Sequence, residues 1–438
     1  MAVPQATAVQ IRMYNVGFGD CFLLTFVTED RPYTMLIDCG RLSGSSGVGP
    51  EFWTVVQQLI GDLPRVEGKA HIDVVVMTHR HRDHVHGFSK ADIWQDVTAG
   101  EVWMPWTENP KDPVALGLSS RQDTAARTAL QALRALGVVS GGAFEVALNS
   151  ITNAAAMGTL EKLSARPIRY LPDVNTAQST TLDSSSTGGV LPGGVNIRVL
   201  GPSHDPKIIA KLDPPRGQAY LRLGAAAGAD NDAPAAGPRP ELPTPCGGRW
   251  EHPRQSLAPI VAQRLGLDDK QLDRLLRSVR ESARNDAENL AFDVDNALNG
   301  TSLVLLIEVG QQTLLFPGDA QWGTWNVILN TPEWQDRLKQ TTFLKVGHHG
   351  SHNATPVGFV EGGYLHHSTA MVSVAPTTNT AEGWKAIPKR ELLNKLLENE
   401  RVTTLLRSDE GLPAGILDVA RPLDDVFTEI TLDAAPST

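Results

Sequence analysis

Three histidines and an aspartate, His79, His81, Asp83 and His84, fall within six residues of this 438-residue chain. Neutral imidazole and carboxylate together suit a borderline divalent ion such as zinc. The chain holds only 12 histidines, so a metal-binding loop is a better reading of that spacing than a His-rich surface loop. Groups of the same kind recur elsewhere. Asp38 follows the apolar run Tyr33–Ile37, Asp319 follows Thr313–Phe316, and His348 and His349 follow Phe343–Val346. The cluster at 79–84 itself follows Val74-Val75-Val76-Met77. Each run reads as a buried strand, and a sheet delivers side chains from its strand ends to a common edge. The alternative for each polar group is a turn or cap, and Pro317-Gly318-Asp319-Ala320 has turn residues enough for one.

The elements that must position these groups follow from the hydrophobic pattern. Residues 9–38 read as paired strands around the turn Asn15-Val16-Gly17-Phe18-Gly19-Asp20, and Phe52 to Ile60 recurs at helical spacing. From Trp103-Met104-Pro105-Trp106 to about Arg166 the pattern is Ala-rich and helical, a helical elaboration over 104–166. Val195–Leu200 is a strand that ends at Gly201-Pro202-Ser203-His204. The stretch 206–296 reads as an insertion, with a flexible Ala/Gly/Pro-rich loop at 224–253 and an amphipathic helix through Leu272, Leu275, Leu276 and Val279. Strands resume at Ser302–Val309 and Thr313–Phe316, and again at Phe343–Val346 and Ala370–Ala375. A helix near Lys389–Glu398 and a strand at Val426–Leu432 close the chain. The expected class is α/β: one domain over 1–438, with two sheets sandwiched by helices.

His79-x-His81-x-Asp83-His84 is similar to the signature of the metallo-β-lactamase fold. The segments Asn15–Asp20, Asn299-x-x-Ser302-Leu303-Val304-Leu305, Gly318-Asp319-Ala320, Lys345-Val346-Gly347-His348-His349-Gly350-Ser351 and Ser408-Asp409-Glu410-Gly411 resemble its ComEC-like branch. That branch is typified by the hydrolase domain of bacterial DNA-uptake channel proteins. The likeness spans roughly residues 10–90 and 295–415. It implies a four-layer αββα sandwich holding two adjacent divalent ions, zinc or alternatively manganese. By that resemblance His79 and His81 hold the first ion, Asp83 and His84 the second, and Asp319 bridges them. His348 completes the second site, being the residue that follows Gly347, while His349 faces substrate as a hydrogen-bond donor or proton shuttle. His204 is the natural candidate for a third histidine on the first ion, with a solvated loop histidine as the alternative. Asp38 is expected to orient a ligand imidazole. His86 stands where relatives commonly have glycine, so it either reaches substrate or starts an exposed helix.

A bound zinc or manganese lowers the pKa of a water from about 16 to about 7, so the expected activity is metal-dependent hydrolysis with Asp83, Asp319 and His349 as catalytic groups. The resemblance favours a phosphodiester, such as a nucleic acid or nucleotide-like substrate. Hydrolysis of a lactam, thioester or carboxylic ester is the first alternative, and an inactive interaction module of the same fold the second. Formal net charge is −10, which disfavours a nucleic-acid scaffold, although Arg80 and Arg82 offer a small local patch. Trp103 and Trp106 are candidates for stacking a base, with burial the favoured reading. No apolar run is long enough for a membrane span, the opening residues do not read as a secretory signal, and Cys21, Cys39 and Cys246 form no disulfide framework. These features fit a cytoplasmic protein.

Overall fold

Period-two alternation at the start of the chain folds as expected. In the computed structural model, Ala8–Tyr14 (β1), Cys21–Val27 (β2) and Tyr33–Cys39 (β3) pair antiparallel in sequence order. The structure describes residues 3–42, 50–151, 153–173, 180–212, 214–215, 217–219, 269–351, 353–374, 387–409, 420–421 and 426–434. The loop read at 224–253, His252, His352, Cys246 and residues 410–411 of the closing turn lie outside them. The chain divides into two units, Met1–Tyr220 with Ala287–Thr438, and Leu221–Asp286. The described part of the second unit, from Asp269, is helical.

The first unit carries two mixed sheets. After β3 the first continues with Lys69–Val76 (β5, with Arg65–Val66 as β4 beside it), Val97–Pro105 (β6) and Arg169–Leu171 (β7). On the other side of β1 it ends with Phe427–Asp433 (β16) and Ala420–Arg421 (β15). The second sheet runs Val402–Arg407 (β14), Leu365–Val372 (β13), Thr341–Lys345 (β12), Gln312–Phe316 (β11), Val304–Val309 (β10), Val195–Gly201 (β9) and Thr180–Leu182 (β8). Leaving aside the short β4, which pairs antiparallel with β5, each sheet changes from antiparallel to parallel pairing at one strand. In the first this happens at β3, which pairs antiparallel with β2 and parallel with β5. In the second it happens at β11, antiparallel to β10 and parallel to β12.

Alternation decides which face each side chain takes. Val9, Ile11, Phe22 and Leu24 of the first sheet share one core with Ile197, Val199, Leu305, Ile307 and Phe316 of the second. The edge-to-face pair Phe22 and Phe316, centroids 5.7 Å apart, joins the two sheets. The opposite face of the first sheet, through Leu23, Leu36 and Val75, packs against Val55, Val56 and Leu59 of the Phe52–Asp62 helix and Leu160 of the Ala154–Leu163 helix. On the second sheet Leu306, Leu315 and Leu344 meet Trp325, Trp334 and Leu392 from the helices Trp322–Leu329, Pro332–Leu338 and Arg390–Leu397. Fully burying one such side chain contributes about 1.5–3 kcal/mol, so the outer helices are held by their apolar stripes.

The structure corrects the sequence reading around residue 100. Val97–Pro105 is a strand, so the helical stretch begins later, with helices Pro113–Ala135, Gly142–Asn149 and Ala154–Leu163. Gly100 and the buried Glu101 mask the strand's pattern. Glu101 is neutralised by Arg166 and Arg169 at 3.1 and 2.9 Å and accepts from Trp103 Nε1 at 2.8 Å. The helix expected near 272–279 runs from Asp269 to Asn299. No helix among the described residues is long and apolar enough to cross a membrane.

Candidate metal centre

The parallel strands bring their carboxyl ends to one edge, the place where open α/β sheets bind ligands. Asp38 is at the end of β3, His79–His84 follow β5, Asp319 follows β11, and His348 and His349 follow β12. Close backbone approach makes this possible. A Cβ on Gly40 would lie 2.3 Å from the carbonyl carbon of Asp83, so only glycine admits the turn that carries Asp83 and His84. Three site residues hold left-handed backbone, with φ of 58° at Asp38, 45° at His348 and 52° at His349. Such conformations cost about 1–3 kcal/mol each, and the hydrogen bonds below hold them.

Asp38 anchors the first half. Its Oδ1 accepts from Thr78 N at 2.8 Å, and its Oδ2 accepts from Thr78 Oγ1 at 2.6 Å and His84 Nδ1 at 2.8 Å. The opposite nitrogen of that ring, His84 Nε2, lies 3.2 Å from Asp319 Oδ2. Asp319 is held by His348 N at 3.1 Å on Oδ1 and by its own N–H to Ser302 Oγ at 3.2 Å. Asp83 exchanges two hydrogen bonds with Asn149: its N–H donates at 3.2 Å and its Oδ1 accepts at 3.1 Å. Its Oδ2 faces His349 Nε2 at 3.3 Å, and His349 Nδ1 donates to the Ser373 carbonyl at 2.8 Å. Ligand atoms of Asp83, His84, Asp319 and His349, all buried, lie within 4.8 Å of one another, close enough to share an ion. Asp20, Asp38 and His84 form a second such group.

The rings of His79 and His81 test whether these residues fit a cation. Thr78 Oγ1 donates its proton to Asp38, so it accepts from His79 Nδ1 at 3.1 Å and leaves His79 Nε2 bare. Ser150 Oγ donates to Val146 O at 3.1 Å, so it accepts from His81 Nε2 at 3.3 Å and leaves His81 Nδ1 bare. Those two bare nitrogens face each other at 2.9 Å. Two lone pairs at that distance repel unless a proton or a cation lies between them. The donor set fits a divalent ion.

The electrostatics agree. Burial pushes the His79 imidazole well below its ordinary value and His81 down to about 4, so both are neutral donors at pH 7. Burial also opposes charge on His84 and His349, but the carboxylates around them outweigh it and raise both. Burial alone would raise Asp83 and Asp319. Their imidazole neighbours, His84 foremost, instead hold both carboxyls well below the usual range. The carboxylates thus draw in positive charge, here as protons, and a bound metal would displace those protons. Lys345, buried, pairs with Asp20 and stands 3.6 Å from Asp319 Oδ1.

The structure therefore brings together His79, His81, Asp83, His84, Asp319 and Asp38. The two neighbouring histidines differ in position. His349, not His348, joins the shared donor group, and its ring also packs on Phe18 with centroids 4.4 Å apart. His348 Nε2 is 3.9 Å from Asp319 Oδ2, and its ring is pushed down to about 4 by burial. His204 does not join the cluster. Its Nε2 meets the Pro172 carbonyl at 3.1 Å, its ring lies edge-on to Trp106, and it lines a separate cavity of about 330 Å³ with Thr324 and Trp334. His86 is half-buried, stacked on Phe52 and 3.1 Å from Arg82 Nη2, rather than exposed. Arg80 is buried against Glu108, Ser119 and Gln122, so it offers no surface charge. Trp103 and Trp106 are buried as well and present no stacking face.

Sequence reasoning gave no role to Asn149, Ser150, Ser373 or Asp295, all four of which touch the cluster. Asp295, buried on the Asp269–Asn299 helix, places Oδ1 3.5 Å from His81 Nε2. Comparison of the chain with protein-family models and with curated proteins finds no match.

Proposed function

We propose that this protein is a metal-dependent hydrolase of the metallo-β-lactamase fold, acting on a phosphodiester through two adjacent divalent ions, zinc or manganese. The observation that carries this reading is the pair of bare nitrogens, His79 Nε2 and His81 Nδ1, 2.9 Å apart beside a second buried donor group of Asp83, His84, Asp319 and His349. The two packed sheets with helices outside, and the four strand ends that supply the donors, support the fold assignment.

In this reading His79 and His81 would hold one ion, and Asp83, His84, Asp319 and His349 would hold the other. Bound divalent ions supply Lewis-acid polarisation of the substrate and activation of water at neutral pH. The chain's own residues set the geometry. Asp38 and the Ser373 carbonyl fix the tautomers of His84 and His349 by taking their Nδ1 protons. Asn149 fixes the Asp83 carboxylate from both sides. Asp83 and Asp319, held ionised, orient an incoming water by accepting its protons in hydrogen bonds. His348, outside that donor group and buried beside Asp319, is left as the histidine that would meet substrate.

The choice of a phosphodiester rests on the ComEC-like motifs. One observation favours a second reading, hydrolysis of a lactam, thioester or carboxylic ester: Arg80 is turned inward to Glu108 and cannot meet a phosphate. A substrate panel of a bis-aryl phosphodiester, single- and double-stranded DNA, RNA, a cyclic dinucleotide, a lactam and a thioester separates the two. The metal-reconstituted protein is expected to cleave phosphodiesters, with activity reduced about 100-fold or more in Asp319→Ala, beyond the usual cost of losing an outer partner. Activity confined to the lactam or thioester would replace the first reading with the second.

A further inference from the structure

We propose that Asp295 is a positioning residue for the His79–His81 half of the centre, accepting the Nε2 proton of His81 so that Nδ1 remains the metal donor. The inference rests on the metal reading above. Three observations carry it. His81 Nε2 has two oxygen neighbours: Ser150 Oγ at 3.3 Å, whose own proton goes to the Val146 carbonyl, and Asp295 Oδ1 at 3.5 Å. Asp295 is buried, and its Oδ1 has no hydrogen-bond donor in good geometry among the described residues. Its other oxygen is fixed by Asn299 Nδ2 at 3.3 Å, so Oδ1 is held toward the histidine. Burial, with the Asp83 and Asp319 charges, pushes the Asp295 carboxyl well above its ordinary value; a charged Oδ1 here needs a donor, and the facing imidazole N–H can supply it.

The helix end that carries Asp295 is well anchored. Gln122 Nε2 donates to the Ala297 carbonyl at 3.2 Å, Asn353 Nδ2 donates to Asn296 Oδ1 at 3.3 Å, and Val294 and Leu298 pack on Ala126. This gives Asn299 of the Asn299-x-x-Ser302 segment a physical role: its amide holds Asp295, while Ser302 holds Asp319. The two halves of the centre then share one device. Asp38 stands behind His84, and Asp295 stands behind His81.

Zinc titration of the metal-free full-length protein, by calorimetry with a competing chelator, tests the proposal in Asp295→Ala and the isosteric Asp295→Asn. Wild type is expected to bind two ions. Asp295→Ala should weaken one of them about 10–100-fold and leave the other within about threefold. Asp295→Asn, which keeps an acceptor without the charge, should fall between. In ¹⁵N-histidine spectra His81 is expected as the Nε2–H tautomer in wild type, with that proton exposed to rapid exchange in Asp295→Ala. Two ions bound with unchanged affinity in both variants, or a Nδ1–H tautomer in wild type, would overturn this inference while leaving the metal reading intact. Wild type that takes up no zinc would overturn both.

Discussion

Replacing Asp38 by Asn changes one atom and sets two hydrogen bonds at odds with it. Asn tolerates the left-handed backbone at this position, φ 58°, so the fold is not asked to move. The amide oxygen can still accept from Thr78 N, now 2.8 Å from Oδ1. The amide nitrogen would then sit where Oδ2 receives Thr78 Oγ1 at 2.6 Å and His84 Nδ1 at 2.8 Å. Two donors would face a third donor. Thr78 can rotate its hydroxyl, but His84 must surrender its Nδ1 proton, and its neutral ring then carries the proton on Nε2, the nitrogen turned toward Asp319. Hydrogen bonds to a charged group are worth about 1.5–3 kcal/mol each. With new pairings recovering part of the loss, the expected destabilisation is about 2–4 kcal/mol. The cost to the metal is larger in consequence: outer partners of ligand imidazoles are worth about 10–100-fold in affinity. Zinc titration alongside thermal melting should therefore show a folded Asp38→Asn protein in which one ion binds about 10–100-fold more weakly and the other does not change. Folded Asp38→Asn with both affinities intact would refute the argument that Asp38 sets the His84 ring.

The neighbouring histidines should separate in the same assay. His349→Ala is expected to lose at least about tenfold in affinity for one ion, whereas His348→Ala keeps both ions and loses turnover; the reverse pattern would restore His348 as the ligand. His204→Ala should leave metal stoichiometry unchanged, because its ring faces Pro172 and Trp106, and an ion lost on that substitution would contradict the geometry. Asp73 gives a pH test away from the site. Burial raises its carboxyl, but His71, Arg31 at 2.6 Å and the Thr34 amide outweigh it and hold the carboxyl below its ordinary 3.8. A depressed folded value means this stabilisation is complete above about pH 4 and is lost as pH falls through the folded value. Asp73→Asn should cost about 1–3 kcal/mol at pH 7 and flatten the acid limb of the stability profile. An unchanged acid limb in denaturant melts would rule out this linkage.

Much of the site was legible because its donors follow apolar runs. Asp38, His79–His84, Asp319 and the His348–His349 pair each end a strand that periodicity identifies, and parallel pairing gathers those ends. What periodicity could not supply was set by tertiary contacts. Asp295 is one of several acids on a helix that also carries Asp286, Glu288 and Asp293, and nothing local distinguishes the one that meets His81. The choice between His348 and His349 depends on two consecutive left-handed residues, a turn that no side-chain pattern announces. The strand Val97–Pro105 was hidden by Glu101, whose charge is satisfied only by arginines more than 60 residues further along. Arg80 reads as a surface cation until its partners on the Pro113–Ala135 helix are known.

Metal content is the most direct test of the central claim. Purified protein, stripped with chelator, reconstituted with zinc or manganese and desalted, should carry close to two ions per chain by elemental analysis, one for the His79–His81 pair and one for the Asp83, His84, Asp319 and His349 group. Less than one ion per chain from a folded, reconstituted sample would contradict the two-metal account.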